Sequence, residues 1–324
     1  ICGSPAPAAA RKMSKITIIG AGAVGQAIAE SLVIGNVCAD LVLQDVVQDK
    51  LKGAVLDFQH GQLFHPCRVA AAEAWTDIAN SDIVVITAGV RQRPGESRRA
   101  LLGRNRRIME DILPHVQAHC PAAVVIVVSN PCDAMTKMVS EMLAFPEGRV
   151  FGSGTFLDSS RFRSLIARRL GVSPSAVHTY VVGEHGDSSV VCFEAGSCGG
   201  VPLRDLVDKD TVQDLHTQVI NAAQEVIALK GYTNTAIGFA VGKLCSIVLR
   251  DAREVAPVSC NVRQVLHLPE DVFLSVPCVL GKGGVLRAMK MALPESEHAK
   301  LVQSCNEVLE AEKLAMAEDA EGKE

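Results

Sequence analysis

The chain has 324 residues, is 48% hydrophobic and 21% charged, and carries a formal net charge of -4. That is the composition of a globular protein long enough for two ordinary domains, each with a buried core, and not of a disordered one. The negative balance excludes a general electrostatic hold on nucleic acid or anionic lipid, leaving only a local basic patch to act, and no apolar run reaches the roughly 18 residues of a membrane span.

Residues 1–14 are rich in Ala and Pro and begin without Met. They lack the continuous apolar core of a secretory signal, and three readings stay open for this extension: added residues, the stub of a longer leader, or an oligomerising arm. From there the first half alternates short β-branched runs with longer mixed stretches, the pattern of βαβ units around a parallel sheet. Strands are predicted over 16–19, 41–43, 83–87 and 124–128, ending respectively in Gly20, Asp45, Ala88-Gly89 and Ser129-Asn130. In an open parallel sheet, ligands bind outside such carboxyl ends.

After the first strand, Gly20-Ala21-Gly22-Ala23-Val24-Gly25 fits G-x-G-x-x-G. The pattern is weak in isolation, but here it follows a strand and opens a helix predicted over 23–32. The amides of that helix start can hold a pyrophosphate while the glycines let the backbone come close. Asp45 stands twenty residues after Gly25 at the end of the second strand. There it accepts hydrogen bonds from adenosine ribose hydroxyls and repels a 2′-phosphate; Val46 and Val47 bring no arginine to reverse this, so NAD is favoured over NADP. The plainer alternative is that Asp45 only ends a strand as a turn residue.

Farther on, Arg91, Arg93, Arg98, Arg99, Arg104, Arg106 and Arg107 form the one basic patch. A nucleic-acid surface would interleave aromatics, and there are none. Beyond Gly152 the texture changes to longer helical stretches, such as 211–230, and Gly-rich turns at Gly199-Gly200 and Gly281-Lys282-Gly283-Gly284. The expected organisation is an extension over 1–14, a dinucleotide-binding domain over 15–152, and an α+β substrate domain over 153–324, whose acidic stretch 311–324 reads as a frayed helix end. No internal repeat is visible.

The second half holds the chemistry. Asp158 and Arg161 sit three apart, on one side of a helix if the segment is helical, and His185 lies between Gly183-Glu184 and Gly186 after the β-branched run 177–182. A lone histidine would more plainly cap a strand. With a carboxylate to hold the imidazole and a guanidinium to grip a carboxylate, the three supply acid–base work on an anionic substrate. The eleven cysteines are odd in number, form no Cys-x-x-Cys and mostly sit among apolar residues, as Cys192, Cys245 and Cys278 do. They read as reduced core residues of an intracellular protein, not as disulfides or zinc ligands, and no metal site is expected.

Gly20 to Gly25, Asp45, Ser129-Asn130-Pro131, Asp158, Arg161 and His185, in this order, make the chain resemble the lactate and malate dehydrogenase family over nearly all of residues 15–310. Lys50-Leu51-Lys52-Gly53, Thr87-Ala88-Gly89, Gly95-Glu96-Ser97-Arg98, Lys230-Gly231-Tyr232-Thr233 and Asp271-Val272-Phe273-Leu274-Ser275-Val276-Pro277 are further matches. The resemblance implies a Rossmann-type sheet and direct hydride transfer between nicotinamide and substrate carbon, with the protein supplying position and electrostatics. It implies that His185 is the proton donor and acceptor, that Asp158 fixes its tautomer and stabilises the imidazolium, and that Arg161 clamps the substrate carboxylate with its planar fork. By the same resemblance Arg98 polarises the carbonyl once a lid over 90–103 closes and excludes water. Arg91 reaches the pyrophosphate, Asn130 binds substrate beside the nicotinamide at a bond often cis in relatives, and Thr233 lines the pocket. The Asn234-Thr235 that follows departs from the Ser-Trp of vertebrate lactate dehydrogenases.

The position six residues before the lid arginine separates the two substrate classes. Malate dehydrogenases place an arginine there for the second carboxylate of oxaloacetate; here it is Gln92. A neutral side chain leaves that carboxylate unpaired under a closed lid, at several kcal/mol, whereas pyruvate has a methyl at that point. Gln92-Arg93-Pro94-Gly95-Glu96 also resembles the Gln-Lys-Pro-Gly-Glu of bacterial lactate dehydrogenases. The expected activity is therefore reversible NADH-dependent reduction of pyruvate to L-lactate, in the cytoplasm and in glycolysis. A malate or mixed 2-hydroxy acid enzyme is the alternative, since Arg93 is adjacent, and a non-catalytic NAD-binding structural or sensing protein is the reading from another class. Arg163 and His178 match positions through which some bacterial relatives bind fructose 1,6-bisphosphate between subunits, and a homo-oligomer, tetramer favoured, is expected.

Overall fold

The computed structural model describes residues 14–90 and 98–321, with the side chains of all but 98–99 and 311–321. The first half runs β1 (Lys15–Ile19), α1 (Ala23–Ile34), β2 (Asp40–Gln44), α2 (Gln48–His60), β3 (Arg68–Ala71), β4 (Ile83–Ile86), α3 (Arg98–His119), β5 (Val124–Val127), α4 (Cys132–Met142) and β6 (Val150–Gly152). Its six strands pair in parallel in the spatial order β3-β2-β1-β4-β5-β6, the doubly wound Rossmann arrangement. Every residue of β4 and β5 is buried, which is why they read as unbroken apolar runs and not as alternating ones.

The expected strands coincide with β1, β2, β4 and β5. β3 and β6 were not expected, and each for a local reason. Arg-Val-Ala-Ala has weak β preference, and Val-Phe-Gly is too short for a period to show. The chain leaves the β3 edge and returns beside β1 as β4, so the switch point of the sheet lies between the carboxyl ends of β1 and β4.

The second half runs α5 (Phe156–Leu170), β7 (Val177–His178), β8 (Val181–Val182), β9 (Val190–Val191), β10 (Ser197–Cys198), β11 (Val201–Pro202), α6 (Lys209–Lys230), α7 (Thr235–Leu249), β12 (Val255–Asn261), the short α8 (Arg263–Leu266), β13 (Phe273–Gly281), β14 (Gly284–Ala288) and α9 (Glu295–Glu321). The helical texture expected beyond Gly152 is present, but so are three long strands. β12 pairs antiparallel with β6, Ser259 opposite Gly152, and β13 and β14 extend the sheet to nine strands. Two small antiparallel sheets, β11-β10-β7 and β8-β9, complete this half.

One apolar cluster joins Ile16, Leu41 and Phe151 to Leu244, Val258 and Leu274, so the core is continuous past residue 152. α7 reaches α1 closely because two glycines four residues apart face it. A Cβ on Gly238 would fall 2.7 Å from the carbonyl oxygen of Ala27, and one on Gly242 2.2 Å from the Ser31 hydroxyl oxygen. Gly53 in α2 has no heavy atom within 4 Å of the same point.

Two glycine-to-alanine changes in helices should therefore act with opposite signs. Gly238→Ala must push α7 off the α1 backbone and is expected to destabilise by about 1–3 kcal/mol; Gly53→Ala removes only backbone freedom and is expected to stabilise by about 0.5–1 kcal/mol. Urea unfolding midpoints decide it, and equal effects would refute the close α1–α7 contact.

Candidate active site

The site is built where β8, α5 and the loop before α4 meet. β8 leads into Gly183, at φ +85°, whose main chain exchanges two hydrogen bonds with Ser275 of β13, at 2.8 and 2.9 Å. The next amide, of Glu184, donates to the Ser304 hydroxyl at 3.0 Å, and that of His185 donates to the Asp133 carboxylate at 2.7 Å. Three consecutive residues are thus held by three different elements, and His185 has no freedom to drift with its loop.

α5 carries Asp158 in its first turn and Arg161 one turn later. A carboxylate suits that turn because the helix N-terminus is electropositive. One Asp158 oxygen contacts His185 Nδ1 at 2.6 Å, and the other accepts from Arg161 Nη1 at 2.8 Å. The helix start is itself pinned: the Thr155 amide donates to the Ser275 hydroxyl at 3.0 Å, the Thr155 hydroxyl donates to the Val181 carbonyl at 2.6 Å, and the Val181 amide donates to the Ser159 hydroxyl at 2.8 Å.

Burial opposes charge on His185, but the Asp158 carboxylate, by its charge and its hydrogen bond, and the Asp133 charge outweigh it, so the imidazole is pushed up to about 8. Burial likewise disfavours the Asp158 carboxylate, and His185 and Arg161 together hold it below the usual range. A charged carboxylate only accepts, so Nδ1 carries a proton toward it. Nε2 is then the nitrogen left to exchange a proton with a bound molecule, on a ring whose side chain is 28% exposed.

Asn130 and Pro131 are joined by a cis bond at the turn between β5 and α4. The side chain of Asn105, buried on α3, fixes this turn: its Nδ2 donates to the Asn130 carbonyl at 2.8 Å and its Oδ1 accepts the Val90 amide at 2.8 Å. Asn105, Asp133 and the buried His216, 3.0 Å from the Ser189 hydroxyl, were not singled out from the sequence, and Ser275 was quoted only within the matching stretch 271–277, with no role. Asn105 hides inside an arginine-rich stretch, and no local pattern marks Asp133 or His216.

At the switch point, Gly20 adopts φ +103°, and a Cβ there would fall 2.6 Å from the Ala88 amide nitrogen; one on Gly25 would fall 1.9 Å from the Gly20 carbonyl oxygen. At Gly22, which caps α1, nothing lies within 4 Å of that point, so the helix N-terminus is open to an approaching phosphate. Asp45 accepts the Ala21 amide at 2.7 Å and the Val47 amide at 2.9 Å, one on each oxygen. Each oxygen keeps a lone pair for a hydroxyl donor. The arrangement fits a dinucleotide.

The remaining expected residues are scattered. Thr233 is half-buried in the turn between α6 and α7. Arg163, on α5, donates to the Pro174 carbonyl at 3.3 Å, and His178 is exposed on β7. Of the basic patch, Arg106 pairs with Glu110 at 3.1 Å. Arg91 and Gln92, with lid residues 91–97, lie outside the described residues, as do residues 1–13; Arg98 begins α3, its side chain outside them also. Among the described residues no group of three or more His, Cys, Asp or Glu could hold a metal ion.

Residues 14–152 match the family model of the lactate/malate dehydrogenase NAD binding domain, and residues 155–319 that of the lactate/malate dehydrogenase alpha/beta C-terminal domain. Among similar proteins, the chain is 43% identical over 308 residues to the L-lactate dehydrogenase C chain of Sus scrofa, covering 93% of each. It is 44% identical over 299 residues to the A chain of Ambystoma mexicanum, covering 90% of each, and 41% identical over 318 residues to the B chain of Sceloporus undulatus, covering 96% of this chain and 95% of that one.

If Asp158 is what lifts His185, Asp158→Asn should drop the histidine's titration midpoint from about 8 to below its ordinary 6.5, because burial then prevails. Proton NMR of the ring against pH reads this directly, with the signal assigned by its loss in His185→Gln. A midpoint still near 8 would show that the dyad does not set the proton affinity.

Proposed function

We propose that this chain, which belongs to the lactate/malate dehydrogenase family, is an NAD-dependent L-lactate dehydrogenase that interconverts pyruvate and L-lactate. The observation that carries this reading is the Asp158 carboxylate divided between His185 at 2.6 Å and Arg161 at 2.8 Å. One group that exchanges a proton near neutral pH is thereby fixed beside one that binds a carboxylate, the two needs of a 2-oxo acid.

Gly20, Gly22, Gly25 and Asp45 hold the cofactor, with Arg91 reaching its pyrophosphate. When bound, NAD supplies hydride exchange. His185 gives a proton from Nε2 to the carbonyl oxygen in reduction and takes it from the hydroxyl in oxidation, while Asp158 holds Nδ1–H and stabilises the imidazolium. Arg161 grips the substrate carboxylate, Asn130 and Thr233 line the substrate space, and Arg98 polarises the carbonyl. Residues 15–152 serve the cofactor and 153–324 the substrate.

Gln92 favours pyruvate, since a second carboxylate would meet a neutral amide. Oxaloacetate is the second reading because Arg93 stands next to Gln92 in the sequence. The proposed cytoplasmic setting is in keeping with the ten described cysteines, all of them free thiols, and a glycolytic role would follow from pyruvate as substrate. Assembly is proposed as a homo-oligomer, tetramer favoured. Arg163 and His178 would offer fructose 1,6-bisphosphate an anion site between subunits.

Steady-state NADH oxidation should give a kcat/KM for pyruvate at least about 100-fold above that for oxaloacetate, of the order of one buried unpaired charge. A comparable or inverted ratio would hand the assignment to malate. Arg161→Lys should lower kcat/KM for pyruvate by about 100-fold or more through loss of the bidentate fork. His185→Gln should lower kcat by about 100-fold to 10,000-fold. Because reduction needs the imidazolium, its rate should fall as pH rises through about 8, and lactate oxidation should rise over the same interval; a flat profile would exclude His185 as the proton carrier.

A further inference from the structure

Asp133 belongs to neither the cofactor cradle nor the dyad, yet it touches the main chain of His185. It lies in the first turn of α4, three residues after Asn130, and is the one acidic residue in that turn. Only 4% of it is exposed. Its Oδ2 accepts the His185 amide at 2.7 Å, while its Oδ1 is buried with no hydrogen-bond partner. The Ser259 hydroxyl, buried on β12, faces this carboxylate and favours its charged form, short of hydrogen-bond geometry.

Holding one amide does not require a charge. A neutral Asn or Ser would accept the same hydrogen bond without the desolvation that a buried carboxylate incurs; here burial pushes the acid up to about 6. What a carboxylate adds at this point is a negative charge next to His185. Among the described residues, the charged groups facing that imidazole are Asp158 and Arg161 on α5 and Asp133 on α4, with Glu184 of the histidine's own loop near Asp133.

We propose that Asp133 is a positioning residue for His185: its carboxylate ties the histidine's main chain to the Asn130-Pro131 turn and places a second negative charge beside the imidazolium. The proton carrier and the substrate-side asparagine are then held in one frame, joined by a single side chain between α4 and the loop after β8. Asp158 orients the ring from Nδ1, and Asp133 fixes the backbone from which the ring projects. The kinetic part of this inference rests on the lactate dehydrogenase reading; the titration part does not.

The decisive variant is Asp133→Asn, which keeps an acceptor for the amide and removes the charge. In the full-length protein the His185 midpoint, read by ring NMR without substrate, should fall by about half a unit or more. The alkaline limb of pyruvate reduction should move to lower pH by the same amount, and kcat for reduction above that midpoint should fall about threefold or more, as half a unit implies. KM for pyruvate and NADH binding by fluorescence should stay within about threefold. Asp133→Ala, which removes the acceptor as well, should lower kcat further than Asp133→Asn. An unchanged midpoint and limb in folded Asp133→Asn would overturn the proposal, as would a loss of melting temperature and kcat together with the limb unmoved. If the wild-type protein turned over no pyruvate, the functional reading would fail, while the substrate-free titration would still decide on Asp133.

Discussion

The site depends on one carboxylate whose two oxygens do different work. Asp158 is nearly buried, and an isolated carboxylate there would protonate. It stays charged because each oxygen has a partner that gains from the charge: His185 on one side and Arg161 on the other. The arrangement is reciprocal, since the same charge keeps the imidazole protonated up to about 8 and fixes the Arg161 fork. Moving either partner alone would leave the buried carboxylate with one cation in place of two and one oxygen without a donor.

Such a triad needs a rigid base, and Ser275 supplies much of it. Its main chain pairs with Gly183 just ahead of His185, and its hydroxyl accepts the Thr155 amide at the head of α5. The two segments that carry His185 and Asp158 are thus referenced to one residue near the start of β13. The closeness of this junction also explains two glycines: a Cβ on Gly154 would fall 2.3 Å from the Ser275 hydroxyl, and one on Gly183 2.9 Å from that of Ser304. Both hold positive φ, so the junction is built from residues that tolerate the conformation and have no side chain to collide.

How much of this could be read beforehand follows from what is local. β1, β2, β4 and β5 announce themselves because two-faced burial writes continuous apolar runs into the chain. Gly20 to Gly25 and Asp45 are legible because the spacing of a strand, turn and helix is itself local. Asp158 and Arg161 share a helical face by spacing alone. By contrast β6 is three residues long, and β12 meets it at a single pair, Ser259 with Gly152, across more than a hundred residues. No window of sequence contains that contact. Asn105 and Asp133 were missed for the same reason: each is one polar residue whose partners, Val90 and Asn130 for one, His185 for the other, are set by tertiary packing.

Charge balance ties the geometry to substrate choice. In the proposed roles two carboxylates, Asp133 and Asp158, are matched within the site by Arg161 and the protonated imidazole of His185. With Arg98, proposed to polarise the carbonyl, counted as a third cation, the one negative charge that pyruvate brings is matched as well, and the site is balanced in the state that donates the proton. A substrate with a second carboxylate would carry one negative charge more than these groups match, and Gln92 contributes none. In a site closed to water that excess would not be screened, and it would raise the proton affinity of His185. The proposed preference for a monocarboxylate is in this sense a property of the whole cluster, with Gln92 as the sequence position at which malate dehydrogenases carry the missing cation.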